Sequence, residues 1–265
     1  MPLIALASLK ASPGVTTTAL ALAATWPAAG RRLLVEADPA GGDLGLRLGL
    51  PADTGLAGLA AAARHGHEPG MAWRHARQLD GEVHLVTAPA GAEQAIACVA
   101  ALAAAGLPQE LAAGPEPALA DCGRLYPGSP ALAVVAAAEV TLLVIRPLIS
   151  ELAHLEPRAR GLQEAGVRLA LVLAPGGRRP AGEPAYPAEE VSATLGIPVA
   201  GTLPDDPRAA GHLTVSPGDA RAARRLPLLR AAASLAVALA ADHAPAAAAV
   251  PQDGRRAGVS IGDHG

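Results

Sequence analysis

Short, uninterrupted apolar runs alternate along this chain with longer Ala- and Leu-rich stretches of helical character. A run that is apolar at every position suits a strand buried on both faces. Its alternation with helices is the pattern of a parallel sheet covered on both sides. The predicted strands are 3–9, 32–37, 83–87, 117–120, 140–145, 168–173 and 198–203. The predicted helices are 17–26, 56–64, 92–105, 150–165, 188–195 and 226–241. Pro27 and Gly30 end the first helix, Pro175-Gly176-Gly177 break the sixth strand, and 178–187 reads as a mobile Pro/Gly/Arg-rich loop. From Pro245 onward the sequence is mostly Ala, Pro, Gly, Asp and Arg without periodicity, the composition of a disordered tail. No internal repeat is visible. The expected architecture is α/β: a single doubly wound, mostly parallel sheet with helices on both faces over residues 1–241, then a tail at 242–265.

Composition narrows this picture without changing it. Of 265 residues, 51% are hydrophobic and none is phenylalanine, so the core must be built from Ala, Leu and Val. A net charge of -3 supplies no general attraction for nucleic acid or acidic membranes. Cys98 and Cys122 are too few for a disulfide framework, which points to a reducing compartment. No secretory signal is recognisable, and the apolar run 231–241 falls well short of the ~20 residues of a membrane span. The expectation is a soluble, cytoplasmic protein.

The candidate chemistry lies near the start, in Lys10-Ala11-Ser12-Pro13-Gly14-Val15-Thr16-Thr17-Thr18. A strand, a tight loop of small residues and a Thr pair opening a helix is the layout of a phosphate-binding loop. The position before the Thr pair, where such loops carry lysine, is Val15, while Lys10 is the only lysine in the chain. In an open parallel sheet, ligands sit at the C-terminal ends of the strands. The loop, Asp38 and Asp121 are all expected there. Backbone N–H groups from Ser12 to Thr17, Pro13 excepted, are placed to cradle phosphates. The Thr16 hydroxyl is suited to Mg²⁺, Asp121 to the same ion through an intervening water, and Asp38 to orienting the water that attacks a terminal phosphate.

These residues resemble the deviant Walker A loop of the MinD/ParA family of P-loop ATPases, whose usual form is Lys-Gly-Gly-x-Gly-Lys-Thr-Thr. Lys10, Gly14, Thr16 and Thr17 match that form. Leu34-Val35-Glu36-Ala37-Asp38-Pro39-Ala40-Gly41 is similar to the family's Asp-x-Asp-Pro-Gln-Gly segment, and Asp121 matches the Walker B aspartate. The likeness runs in order over residues 2–241. It implies ATP and Mg²⁺ as ligands and an ATP-dependent homodimer in which Lys10 reaches the nucleotide of the second copy. It also implies hydrolysis assisted by Asp38, and a protein partner in a machine that positions or partitions cargo. The departures are Val15 for the second lysine, Ala11 and Ser12 for two glycines, and Ala174-Pro175 where relatives keep an asparagine near the adenine. A charge-assisted contact contributes about 1.5–3 kcal/mol, so losing the second lysine lowers ATP affinity by roughly one to two decades. Either Lys10 of a second copy substitutes for it, or the site does not hydrolyse ATP. The alternative function is then a pseudo-ATPase scaffold of the pilus-assembly or secretion type. A synthetase-like member of the superfamily would need a substrate pocket that the sequence does not assemble.

Other features have ordinary readings. Cys98 and Cys122 read as small buried residues. His65-Gly66-His67-Glu68 reads as a surface loop rather than a metal fragment. Arg221, Arg224, Arg225 and Arg230 read as a solvated face, with contact to DNA or a membrane as the sharper alternative. Arg146, beside Pro147, is open to two readings: a structural ion pair, or a cation that faces the nucleotide.

Overall fold

In the computed structural model the described residues are 3–10, 13–27, 30–51, 55–66, 68–176, 185–217 and 225–242. Ser12, His67, Arg221, Arg224, most of the 178–187 loop and the proposed tail beyond Asp242 lie outside them. The strands are β1 Leu3–Ser8, β2 Arg32–Glu36, β3 Arg77–Gln78, β4 Val83–Val86, β5 Ala118–Arg124, β6 Val140–Ile145, β7 Leu169–Leu173 and β8 Val199–Thr202. They form one sheet of eight, in the order β3-β4-β2-β5-β1-β6-β7-β8. Every described pairing is parallel except that of the short edge strand β3 with β4.

The described helices are α1 Val15–Thr25, α2 Leu44–Arg47, α3 Leu56–Ala63, α4 Met71–Arg74, α5 Ala92–Ala104, α6 Leu107–Ala113, α7 Leu132–Ala137, α8 Ile149–Glu164, α9 Ala188–Leu195, α10 Pro207–Leu213 and α11 Pro227–Asp242. Side chains alternate across a strand, so β1 feeds two cores. Leu3, Ala5 and Ala7 join the layer with α3 to α9, while Ile4 and Leu6 join the layer with α1, α10 and α11. Both layers are apolar, which is why the central strands are hydrophobic at nearly every position. Residues Ala19 to Ala23 of α1 are all buried, as suits a helix enclosed between the sheet and α11. No single described helix is long and apolar enough to cross a membrane.

Two boundaries differ from expectation in ways that matter for the site. The strand predicted at 117–120 continues to Arg124, so Asp121 sits inside β5 rather than after it. Its backbone is held on both sides, opposite Leu6 of β1 and Glu36 of β2, and this pairing carries the strand past its polar residue. Helix α1 starts at Val15, two residues earlier than expected, because Gly14 takes a left-handed conformation (φ 97°) that turns the chain into the helix. The short elements α2, α4, β3, α6, α7 and α10 carry too little periodicity to be predicted. Cys98 and Cys122 are both free and buried.

Candidate functional site

The order of the sheet creates a crevice. After β1 the chain passes over to β2 on one side, and the later strands β6 to β8 extend on the other. At such a switch point the connections diverge and leave a cleft beyond the carboxyl ends of the strands. The loop between β1 and α1 opens into it. The first-turn N–H groups of α1, from Val15 to Thr17, have no acceptor within the helix, and the first intrahelical bond runs from Thr18 N to Gly14 O at 2.9 Å. This is a backbone surface for an anion. The side chain of Val15 is not part of it: at 6% exposure it packs into the core layer beneath α1. Lys10 lies exposed at the bend after β1.

Three carboxylates line the neighbouring strand ends. Asp121 is fully buried; its Oδ1 accepts from Gly123 N at 3.0 Å, while Oδ2 has no partner at hydrogen-bond distance among the described residues, the Thr16 hydroxyl acting on the carboxyl from nearby. Burial pushes its pKa up to about 7. The Thr16 hydroxyl and the Gly123 N–H offset part of that shift, and the charges of Glu36 and Asp38 add to it. Asp38 Oδ1 accepts from Ala40 N at 2.8 Å. Its carboxyl lies against Gly123, which has φ 56°, so that a Cβ at this glycine would fall within the carboxyl group. Burial raises the Asp38 pKa, and Asp43 adds to the rise; the Ala40 N–H and the charge of Arg124 oppose it.

Glu36 was not singled out by sequence, and its role is structural. Its Oε1 accepts from Asp43 N at 2.7 Å and Leu44 N at 2.9 Å, and its Oε2 from Ala88 N at 2.9 Å. The carboxylate therefore ties the Asp38 loop to the end of β4. Gly42 donates to Pro89 O at 2.9 Å, and no Cβ fits at Gly41 or Gly42 against Ala90, Ala88 and Glu36. Burial raises the pKa of Glu36, opposed by these three N–H bonds. Arg158, from α8, donates to the carbonyls of Leu9 and Leu125, the latter at 2.6 Å, and so braces the base of the loop that carries Lys10. No local sequence signal marks either residue.

On the other side of the loop, a cavity of about 240 Å³ crosses the ends of β1, β6, β7 and β8. Pro13, Gly14, Thr17 and Thr18 border it at one end, Arg146 and Ala174 in the middle, and Leu203 to Pro207 at the other. Arg146 combines both readings suggested by sequence. Its backbone N donates to Glu151 Oε2 at 3.0 Å and its Nε to Glu151 Oε1, while the residue also forms cavity wall. Gly176 comes within van der Waals range of Asp205, where an added Cβ would lie 2.6 Å from the aspartate Cβ. Asp206 caps α10 by accepting from Ala209 N at 3.0 Å. The structure thus brings Thr16, Asp38 and Asp121 together at the ends of β1, β2 and β5, with Pro13, Gly14 and Thr17 on the adjoining cavity and Val15 turned into the core, while Lys10 follows β1 on an exposed bend.

No protein-family model matches the chain, and no curated protein does. Solved structures do. A Mg-ADP complex of the septum site-determining protein MinD from Pyrococcus horikoshii is 20% identical, with a TM-score of 0.69 over 90% of this chain and 95% of that one. A ParA family ATPase from Chlorobium tepidum is 18% identical, with a TM-score of 0.70 over 90% and 98%. An ATP complex of McdA from Cyanothece is 19% identical, with a TM-score of 0.63 over 90% and 96%. At these identities the likeness establishes the fold: this chain has the architecture of MinD and the ParA-family ATPases.

Proposed function

We propose that this chain, folded as MinD and the ParA-family ATPases are, is a nucleotide-dependent switch that positions or partitions a cellular cargo or machine. One observation carries the reading. Asp121 buries an oxygen that no described residue meets at hydrogen-bond distance, with the Thr16 hydroxyl at the start of α1 close enough to favour its charge. A buried, half-satisfied carboxylate is costly to keep unless a ligand completes it. Mg²⁺ suits a donor set made of oxygen only, here a hydroxyl and a carboxylate. Thr16 would hold the ion through its hydroxyl and Asp121 through an intervening water, and the ion would supply neutralisation of phosphate charge. The backbone from Gly14 to Thr17 takes the phosphates of ATP, and Asp38 stands where it can orient a water.

The loop has no cation of its own over the terminal phosphates, because Val15 is in the core. Lys10, exposed on the bend after β1, is the cation that completes the site of a second copy across an ATP-dependent homodimer. Hydrolysis then depends on that encounter, or on a protein partner, and is weak in the isolated chain. The buried Val15 also favours a second reading, in which the chain is a non-hydrolysing scaffold. Titration of a fluorescent ATP analogue with and without Mg²⁺ tests both. Saturable, Mg²⁺-dependent binding by the wild type, lost in Asp121→Asn, is expected; no binding by the wild type contradicts the nucleotide switch. Asp38→Ala separates the readings in cells, since only the scaffold tolerates it.

A further inference from the structure

The geometry points to Arg146, held by Glu151, as a cation for the phosphate that joins the sugar, a site that compensates in binding, though not in catalysis, for the lysine replaced by Val15. This rests on the nucleotide reading above and assigns a specific contact within it. The cavity beside the loop follows the strand order β1, β6, β7, β8. Pro13, Gly14 and Thr17, the phosphate end, follow β1; Arg146 follows β6; Ala174 follows β7; and Asp205 and Asp206 follow β8. The phosphates are placed by the free N–H groups of the first turn of α1, and a nucleotide that continues from them along the strand ends carries its sugar past Arg146. Arg146 therefore stands at the junction between phosphates and sugar.

The ion pair is built to present this arginine rather than to neutralise it. Glu151 has a side chain only 5% exposed, and both its oxygens are spent on Arg146, one on the backbone N–H and one on Nε. Nε is the inner donor of the guanidinium. Anchoring it leaves the two outer nitrogens, and among the described residues no partner takes them. The Arg146 side chain stays 25% exposed, on the wall of the cavity. Guanidinium is the side chain best suited to a phosphate in such a setting, because its planar fork gives paired donors. Glu151 is a positioning residue: it touches no ligand and sets the plane of one that does.

The consequence for function is specific. A cation at the sugar-proximal phosphate contacts ATP, ADP and AMP alike, and its contact does not change as the terminal phosphate leaves. Such uniform binding strengthens the complex without accelerating the reaction. The site should therefore hold nucleotide while discriminating poorly between ATP and ADP as a monomer.

Calorimetric titration of ATP, ADP, AMP and adenosine tests this on the wild type, Arg146→Lys, Glu151→Gln and the double variant Arg146→Met/Glu151→Gln. The double variant avoids leaving a buried carboxylate unpaired, and thermal melting checks its fold. The expected result is a loss of roughly 10- to 100-fold for all three nucleotides in the double variant, with adenosine unchanged. Arg146→Lys and Glu151→Gln should fall between. Equal loss for adenosine overturns the proposal, since the arginine would then only shape the wall. A loss that grows from AMP to ATP also overturns it, by placing the cation on the outer phosphates. Undiminished nucleotide binding in the folded double variant overturns this inference alone. Absence of nucleotide binding in the wild type overturns it together with the nucleotide reading.

Discussion

On the β2–β5 side of the crevice, three carboxylates are fixed by backbone atoms: Glu36 by three N–H groups, Asp38 by Ala40 N and the bare Cα of Gly123, and Asp121 by Gly123 N. On the β1–β6 side the cations are placed differently. Val15 occupies a core position where phosphate loops carry lysine, Lys10 is exposed on a bend, and Arg146 is held by another side chain. The acidic side is thus part of the fold's hydrogen-bonding framework, whereas the cationic side consists of side chains that can be exchanged without unravelling it. The β1–α1 loop can lack a charge at Val15 and the fold survives, whereas losing the Glu36 carboxylate strands three backbone N–H groups at the sheet ends.

That contrast is open to direct attack, most forcefully at Gly123. Alanine there must both adopt φ 56° and displace the Asp38 carboxyl. Gly123→Ala should lower stability by roughly 3 kcal/mol or more in chemical denaturation. A change below about 1 kcal/mol would show that Asp38 is not pinned by this contact.

Asp121→Asn should act in the opposite direction. The folded carboxyl keeps its proton up to about pH 7, while the unfolded one releases it near its ordinary 3.8. The folded state therefore binds more protons across that window, and stability without Mg²⁺ falls as pH rises through it. At pH 8 the asparagine variant in chelator should be more stable by about 2–4 kcal/mol, while the wild type but not the variant gains stability from Mg²⁺ with nucleotide. A flat wild-type profile from acid to neutral pH would contradict the buried charge. Glu36→Gln replaces one acceptor oxygen with a donor and leaves at least one backbone N–H opposed; a loss of about 2 kcal/mol is expected by denaturation. At the small end, Lys10→Ala should leave the melting temperature within about 1 °C, because its side chain is exposed. It should nonetheless abolish dimer formation with ATP, as read by light scattering; an unimpaired dimer would remove Lys10 from the interface.

The same contrast explains what could be read from the chain before its structure. Strands such as β6 are apolar at nearly every position and flanked by turn residues, so their presence and order were legible, as was the loop from Lys10 to Thr17. Asp38 and Asp121 were legible because each follows an apolar run. The bracing was not. Glu36 reaches Ala88, 52 residues away, and Arg158 reaches Leu9, 149 residues away; no local pattern encodes such pairs. The extension of β5 through Asp121 depends on register with β1 and β2. Helix α10 had a readable start in Asp206-Pro207, an N-cap followed by proline, but its short length hid it.

Calorimetric titration of the full chain with ATP and Mg²⁺, with oligomeric state followed in parallel, reads directly whether a crevice with fixed acids and no lysine at position 15 holds a nucleotide. Saturable binding that weakens when Mg²⁺ is withheld is expected, with two copies associating as ATP saturates. A flat titration with correctly folded protein, with and without Mg²⁺, would contradict it.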